Sequence, residues 1–157
     1  KLMHQIDAYK KLAEGKAVID YGFHGVAQHL NSDVLNDLPL LAEAGVTSLK
    51  IYTTYDYKLG QQSILPLLKA ARRSGILVTV HAEDDDILTQ SRDLFPVTPS
   101  SLPLARPEKS ESEAIKWLLR LCRAVDDAPL YVVHVSSARG LAEITEARKN
   151  GQKNIYA

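Results

Sequence analysis

Only one cysteine, Cys122, occurs in 157 residues, so no disulfide can form within the chain. Such usage fits a reducing compartment, and a cytoplasmic location is the expectation. No sign of charge dominates either. Nineteen Lys and Arg face nineteen Asp and Glu, which removes the electrostatic footprint of a nucleic-acid groove or an anionic membrane surface. Apolar runs stay far short of the roughly 18 residues that a membrane span needs. What is present is a globular composition, 45% hydrophobic and 24% charged. Residues 1–157 have the length of one domain, enough to bury a core.

Apolar periodicity alternates between helix and strand along the chain. Leu2, Ile6, Tyr9 and Leu12 recur at helical spacing, and Gly15 closes that helix. Ala17 to Phe23 reads as a short strand. A second helix carries Leu38, Leu41 and Ala42, with Pro39 expected in its first turn and Gly45 at its end. Thr47 to Thr53 reads as the next strand. A third helix, regular from about Ser63 because of Pro66, stops at Gly75, and Ile76 to His81 follows as a nearly continuous apolar strand. Residues 93–110 read as irregular. Ser110 and Glu113 suggest a capping box for a helix burying Ile115, Leu118 and Cys122. Leu130 to Val135 is a strand, Leu141 to Lys149 a helix, and Ile155 opens another strand.

Strands alternating with helices predict βαβ units, an α/β class and a parallel sheet. Right-handed crossovers then bring the C-terminal end of every strand to one rim. Five strands suit either an open sheet or about half of an eight-stranded barrel. The chain opens at Lys1 inside a helical pattern and stops at Ala157 inside a strand, which reads as an internal segment of a longer domain.

Three residues stand out for chemistry. Lys50 lies in Ser-Leu-Lys-Ile-Tyr, His81 ends Val-Thr-Val-His, and His134 ends Tyr-Val-Val-His. Parallel strands would place all three at equivalent positions on the same rim. Histidine is a ready metal ligand. A lysine ammonium repels a cation, but desolvation can free the amine, which can then add carbon dioxide and present two carbamate oxygens. The alternative is a pair of incidental strand-end histidines on a non-metal α/β binding domain.

Four segments carry a family resemblance: Asp20-Tyr21-Gly22-Phe23-His24, Gly45-Val46-Thr47-Ser48-Leu49-Lys50, Val80-His81-Ala82-Glu83 and Val133-His134-Val135-Ser136-Ser137. Their order and spacing resemble those of the dihydropyrimidinase, hydantoinase and allantoinase branch of the cyclic amidohydrolases. The resemblance implies a TIM-type barrel, of which this chain would be about half, the third to the seventh strand. It also implies that Lys50 is the carboxylated lysine bridging two zinc ions, with His81 and His134 as ligands. Tyr55 matches the family tyrosine that donates to the oxyanion of the scissile amide. The implied reaction is metal-dependent opening of a dihydropyrimidine or hydantoin ring to an N-carbamoyl amino acid. Allantoinase and dihydroorotase activities are alternatives, as is a non-catalytic scaffold of the same family. A small cyclic amide or ureide is the implied substrate, and a homotetramer the implied parent assembly.

The sequence departs from that pattern at both ends of the metal site. The His-x-His pair of the family's first strand is absent, since neither His4 nor His24 with His29 has that spacing. The final aspartate is absent as well. The expectation is therefore an inactive chain, at most one metal ion, an unmodified Lys50 paired with a carboxylate or reaching solvent, and self-association through open sheet edges. His24 and the Arg106-Pro107 segment read as structural, a subunit contact being the alternative for Arg106. The acidic run Glu83 to Asp86 reads as the N-terminal complement of a helix.

Overall fold

The computed structural model describes all of residues 1–157. Seven helices alternate with five strands: α1 (Leu2–Ala13), β1 (Gly25–Val26), α2 (Ser32–Glu43), β2 (Ser48–Tyr52), α3 (Gln61–Arg73), β3 (Leu77–His81), α4 (Asp85–Leu94), α5 (Leu102–Ala105), α6 (Glu108–Arg123), β4 (Leu130–Val132), α7 (Ala138–Lys149) and β5 (Ile155–Tyr156). The strands form one parallel sheet in the order β1-β2-β3-β4-β5. That order never reverses. Right-handed crossovers that always step the same way put successive helices on the same face, which is the winding of a barrel wall and not of a doubly wound sheet. Neighbouring helices accordingly touch in sequence, α1 with α2, α2 with α3, α3 with α6 and α6 with α7.

The period of two along each strand decides what the helices cover. Leu49 and Ile51 of β2, Val78 and Val80 of β3, and Leu130 and Val132 of β4 are buried in the core. Against them lie Leu38 and Leu41 of α2, Leu67 and Leu68 of α3, Ile115, Leu118 and Cys122 of α6, and Ile144 of α7. Each fully buried aliphatic side chain contributes about 1.5–3 kcal/mol, so this layer carries most of the fold. Burial also pushes the Cys122 thiol up to about 12, as suits a core residue. The alternate residues Lys50, Thr79 and Tyr131 face the other way, away from the helices.

Several boundaries differ from the sequence reading. Ala17 to Phe23 forms no strand: on the edge away from β3, β2 pairs only with Gly25 and Val26, and an extended segment without a ladder partner is not a strand. Val18 and Ile19 are 96% and 80% exposed there. Pro39 and Pro66 lie inside α2 and α3 and not in a first turn. An interior proline costs about 3 kcal/mol, but the buried stripes Val34, Leu38, Leu41 and Ile64, Leu67, Leu68 continue through each one and outweigh it. Helix α6 begins at Glu108 behind Pro107, so Ser110 is not its cap; the Ser110 hydroxyl donates to the Pro107 carbonyl at 2.8 Å. Gly45 and Gly75 end α2 and α3 at φ +80° and +69°, a conformation that glycine adopts freely.

Candidate metal centre

The rim at the C-terminal ends of β2, β3 and β4 gathers the residues singled out in the sequence. Their levels differ from the expectation of equivalent places. Tyr52, and not Lys50, lies opposite His81; Lys50 is opposite Thr79, one rung or about 6–7 Å lower. His134 lies two residues beyond the end of β4. Strand β4 is shorter than the sequence suggests because the backbone turns left-handed at His134, with φ +42°. Without that turn His134 would share the parity of buried Val132 and point into the helix layer. With it, the exposed His134 ring meets His81, Nε2 to Nδ1, at 3.0 Å.

A carboxylate holds the other side of His81. Its Nε2 hydrogen-bonds Glu83 Oε2 at 2.6 Å. Glu83 follows His81 by two residues and so continues on the same side of the chain. It is also gripped by Arg106, whose Nε donates to Oε1 at 3.2 Å and whose Nη2 donates to Oε2. Burial alone would raise the Glu83 carboxyl, but the bonds from His81 and Arg106 together outweigh it and hold it below the ordinary range. Arg106 Nη2 also donates to the Tyr55 hydroxyl at 2.9 Å, and the Tyr55 and His81 rings lie 5.2 Å apart. Tyr55, Arg106, Glu83, His81 and His134 thus form one connected chain of contacts.

The acidic run divides its work. Asp84 caps α4 by accepting from the Ile87 amide at 3.1 Å, and Asp85 accepts from Thr54 Oγ1 at 2.6 Å and pairs with Lys58. These match the helix-complement reading, and Glu83 does not. Neither the role of Glu83 nor that of Arg106 came from the sequence. A carboxylate two residues after a candidate ligand was the available signal for Glu83, since metal-binding imidazoles ordinarily donate their second N–H to such a group. Arg106 is 51 residues from Tyr55 and gave none.

Lys50 faces an open hollow of about 780 Å³, which it shares with Thr79, Tyr131, Val133 and His134. Burial lowers its ammonium from 10.5 to about 8. Of the two surroundings expected for it, a carboxylate or solvent, the first is not found: Lys50 enters no ion pair, is only half-buried, and its Nζ lies 5.1 Å from the centre of the Tyr52 ring. His24, at the mouth of the same hollow, bonds Ser48 Oγ through Nδ1 at 2.5 Å, in keeping with a structural role.

The donor set can be tested against a metal ion. No three His, Cys, Asp or Glu side chains converge as ligands. With its Nε2–H given to Glu83, His81 presents the lone pair of Nδ1 toward His134. Two imidazole nitrogens on one tetrahedral zinc, each about 2.0–2.1 Å from it, lie about 3.3–3.4 Å apart. The observed 3.0 Å needs only a small opening. The two imidazole nitrogens therefore lie close to the spacing that two ligands of one tetrahedral zinc ion would have.

No protein-family model matches the sequence. Individual relatives do. The D-phenylhydantoinase of Escherichia coli O9:H4 (strain HS) is 42% identical over 156 residues, 97% of this chain and 34% of the relative. That of strain K12 / DH10B is 41% identical over the same length. Among solved structures, the dihydropyrimidinase of Brevibacillus agri aligns with a TM-score of 0.90 at 36% identity, covering 99% of this chain and 35% of the other. A D-hydantoinase of Bacillus sp. AR9 gives 0.89 at 34% identity with the same coverage. The chain spans about a third of the length of the curated relatives it matches. Over nearly all of its own length the chain is homologous to a segment of about a third of the D-hydantoinases and dihydropyrimidinases.

Proposed function

We propose that this chain supplies one part of the metal centre of a cyclic-amide hydrolase, with Lys50, His81 and His134 as ligands and Tyr55 as the oxyanion donor. The contact that carries this reading is the His81–His134 pair, 3.0 Å apart, with Glu83 holding the far side of His81. Zinc is the ion that this nitrogen-rich set suits, and Lys50, once neutral, is the group able to take up carbon dioxide and bridge a second ion. A divalent ion held there would lower the pKa of water and polarise the amide carbonyl.

The chain's own residues have separable tasks. Arg106 donates to the Tyr55 oxygen, which leaves the phenolic proton free to be given to oxygen charge developing on a substrate. Glu83 keeps His81 in a single tautomer. The substrate class is a five-membered hydantoin or a six-membered dihydropyrimidine, after the names of the relatives. Water oxygen adds to the ring carbonyl carbon, the ring carbon–nitrogen bond breaks, and the nitrogen takes a proton to leave an N-carbamoyl amino acid. The 157-residue chain by itself holds too few ligands for two ions and is not expected to turn over substrate.

Zinc titration of this chain at pH 8 against a competing chelator tests the reading. One ion per chain is expected, weakened at least tenfold by His81→Ala and by His134→Ala. Two tightly held ions per chain, or affinity unchanged in both variants, would overturn it.

A further inference from the structure

A second carboxylate stands behind His134, outside the chain of contacts described above. Glu111, in the first turn of α6, is only 9% exposed. It enters no ion pair. Its Oε1 accepts from the Ser136 amide at 2.9 Å, and its Oε2 accepts from the Ser137 amide at 2.8 Å and the Ser137 hydroxyl at 2.5 Å. We propose that Glu111 is the positioning residue for His134: by clamping Ser136 and Ser137 it holds the left-handed turn that aims the His134 ring at His81. The zinc readout of this proposal rests on the ligand reading of His134 given above.

Capping of α7 does not account for the carboxylate. That helix already has a cap, Ser137 Oγ, which accepts from the Gly140 amide at 2.9 Å. What Glu111 adds is the bond to Ser136, one residue before the cap and two after His134. The Ser136 hydroxyl in turn donates to the His134 carbonyl at 2.7 Å, so the clamp reaches the residue whose φ is +42°. Positive φ is uncommon for any residue that carries a side chain, and contacts with the surroundings hold the backbone there. The negative charge is met by amides at the start of α7, where anions are favoured.

Two independent perturbations separate positioning from packing. Glu111→Gln keeps the shape but loses the charge and one of the two acceptor oxygens. Gly140→Ala keeps the Glu111 side chain and favours helix. Its new Cβ would fall 2.7 Å from Glu111 Oε2, 3.0 Å from Ile115 Cδ1 and 3.1 Å from Ser137 Oγ, so it displaces the carboxylate and presses on the cap beside it. Both are compared with His134→Ala in the 157-residue chain. The readouts are zinc affinity, the His134 imidazole resonances of the metal-free chain, and thermal unfolding. We expect both variants to shift the His134 resonances and weaken zinc roughly tenfold or more, with Gly140→Ala still helical and folded. Unmoved resonances together with zinc affinity within twofold of the parent would overturn the proposal. If Glu111→Gln fails to fold, Gly140→Ala decides alone; unfolding of both would overturn it in favour of a purely structural carboxylate. Should His134→Ala leave zinc binding unchanged, the ligand reading fails, and the metal-free resonances still decide the role of Glu111.

Discussion

Replacing Lys50 by methionine should make the chain more stable at neutral pH, although it removes the residue on which the proposed chemistry most depends. The ammonium falls from 10.5 to about 8 on folding because burial disfavours the charged form. At about 1.36 kcal/mol per decade, the ceiling on that cost is about 3.4 kcal/mol. Lys50 is only half-buried, so solvent screens much of it, and about 1–1.5 kcal/mol is the expected residue. Methionine fills similar volume on the same apolar wall without a charge to desolvate. The sign follows from proton counting. Between about pH 8 and 10.5 the unfolded chain holds a proton on Lys50 that the folded chain has released, so stability rises with pH across that window. Below it, the full cost is present. Urea unfolding of parent and Lys50→Met at pH 6.5, 9 and 11 reads this directly. The variant should lead by about 1–1.5 kcal/mol at pH 6.5 and lose its lead as pH passes 10.5. A variant less stable than the parent at pH 6.5, or a difference independent of pH, would refute the reasoning.

Arg106→Met should cost about 2–3 kcal/mol in the same assay, because it strips three hydrogen bonds from a largely buried carboxylate and a phenol. Since the folded Glu83 carboxyl sits low, its contribution is full above the unfolded value near 4.5 and is lost as pH falls through the folded one; that acid-side loss should shrink in the variant, as equilibrium unfolding from pH 3 to 6 would reveal. Val18→Ser with Ile19→Thr should change stability by less than about 0.5 kcal/mol, because both side chains are exposed. The same pair should lower the mass measured by light scattering at high concentration if the apolar segment before β1 drives self-association.

The fold was legible wherever periodicity and burial coincide. Strands β2 and β3 follow from runs of alternating or continuous apolar residues, and helices α1, α3 and α7 end where glycine or charge interrupts them. The reading failed where an apolar run had no partner. Ala17 to Phe23 has strand composition, but composition cannot report whether a neighbour offers its backbone, and on that edge β2 pairs with two residues only. Prolines misled for a related reason. Pro39 is a local signal to stop, and what carries α2 through it is the burial of Leu38 and Leu41 against β2, a tertiary effect.

At the candidate centre the sequence yielded the donors but not their geometry. A histidine closing an apolar strand is conspicuous in one dimension. Its aim is not, because aim depends on a single φ at His134 and on a carboxylate donated from the helix before. The consecutive acids 83 and 84 make the point locally: Glu83 continues beyond β3 and turns to His81, while Asp84 has already become the cap of α4. Lys50 makes it across strands. Sitting a rung below His81, it can reach the rim only by extending a long side chain up the sheet face, where its Nζ rests near the Tyr52 ring. A shorter residue at position 50 would leave its polar atom beside Thr79, buried and below the level of the two imidazoles. Reach and a readily displaced proton are both properties of lysine, and the proposed role of Lys50 would call on both.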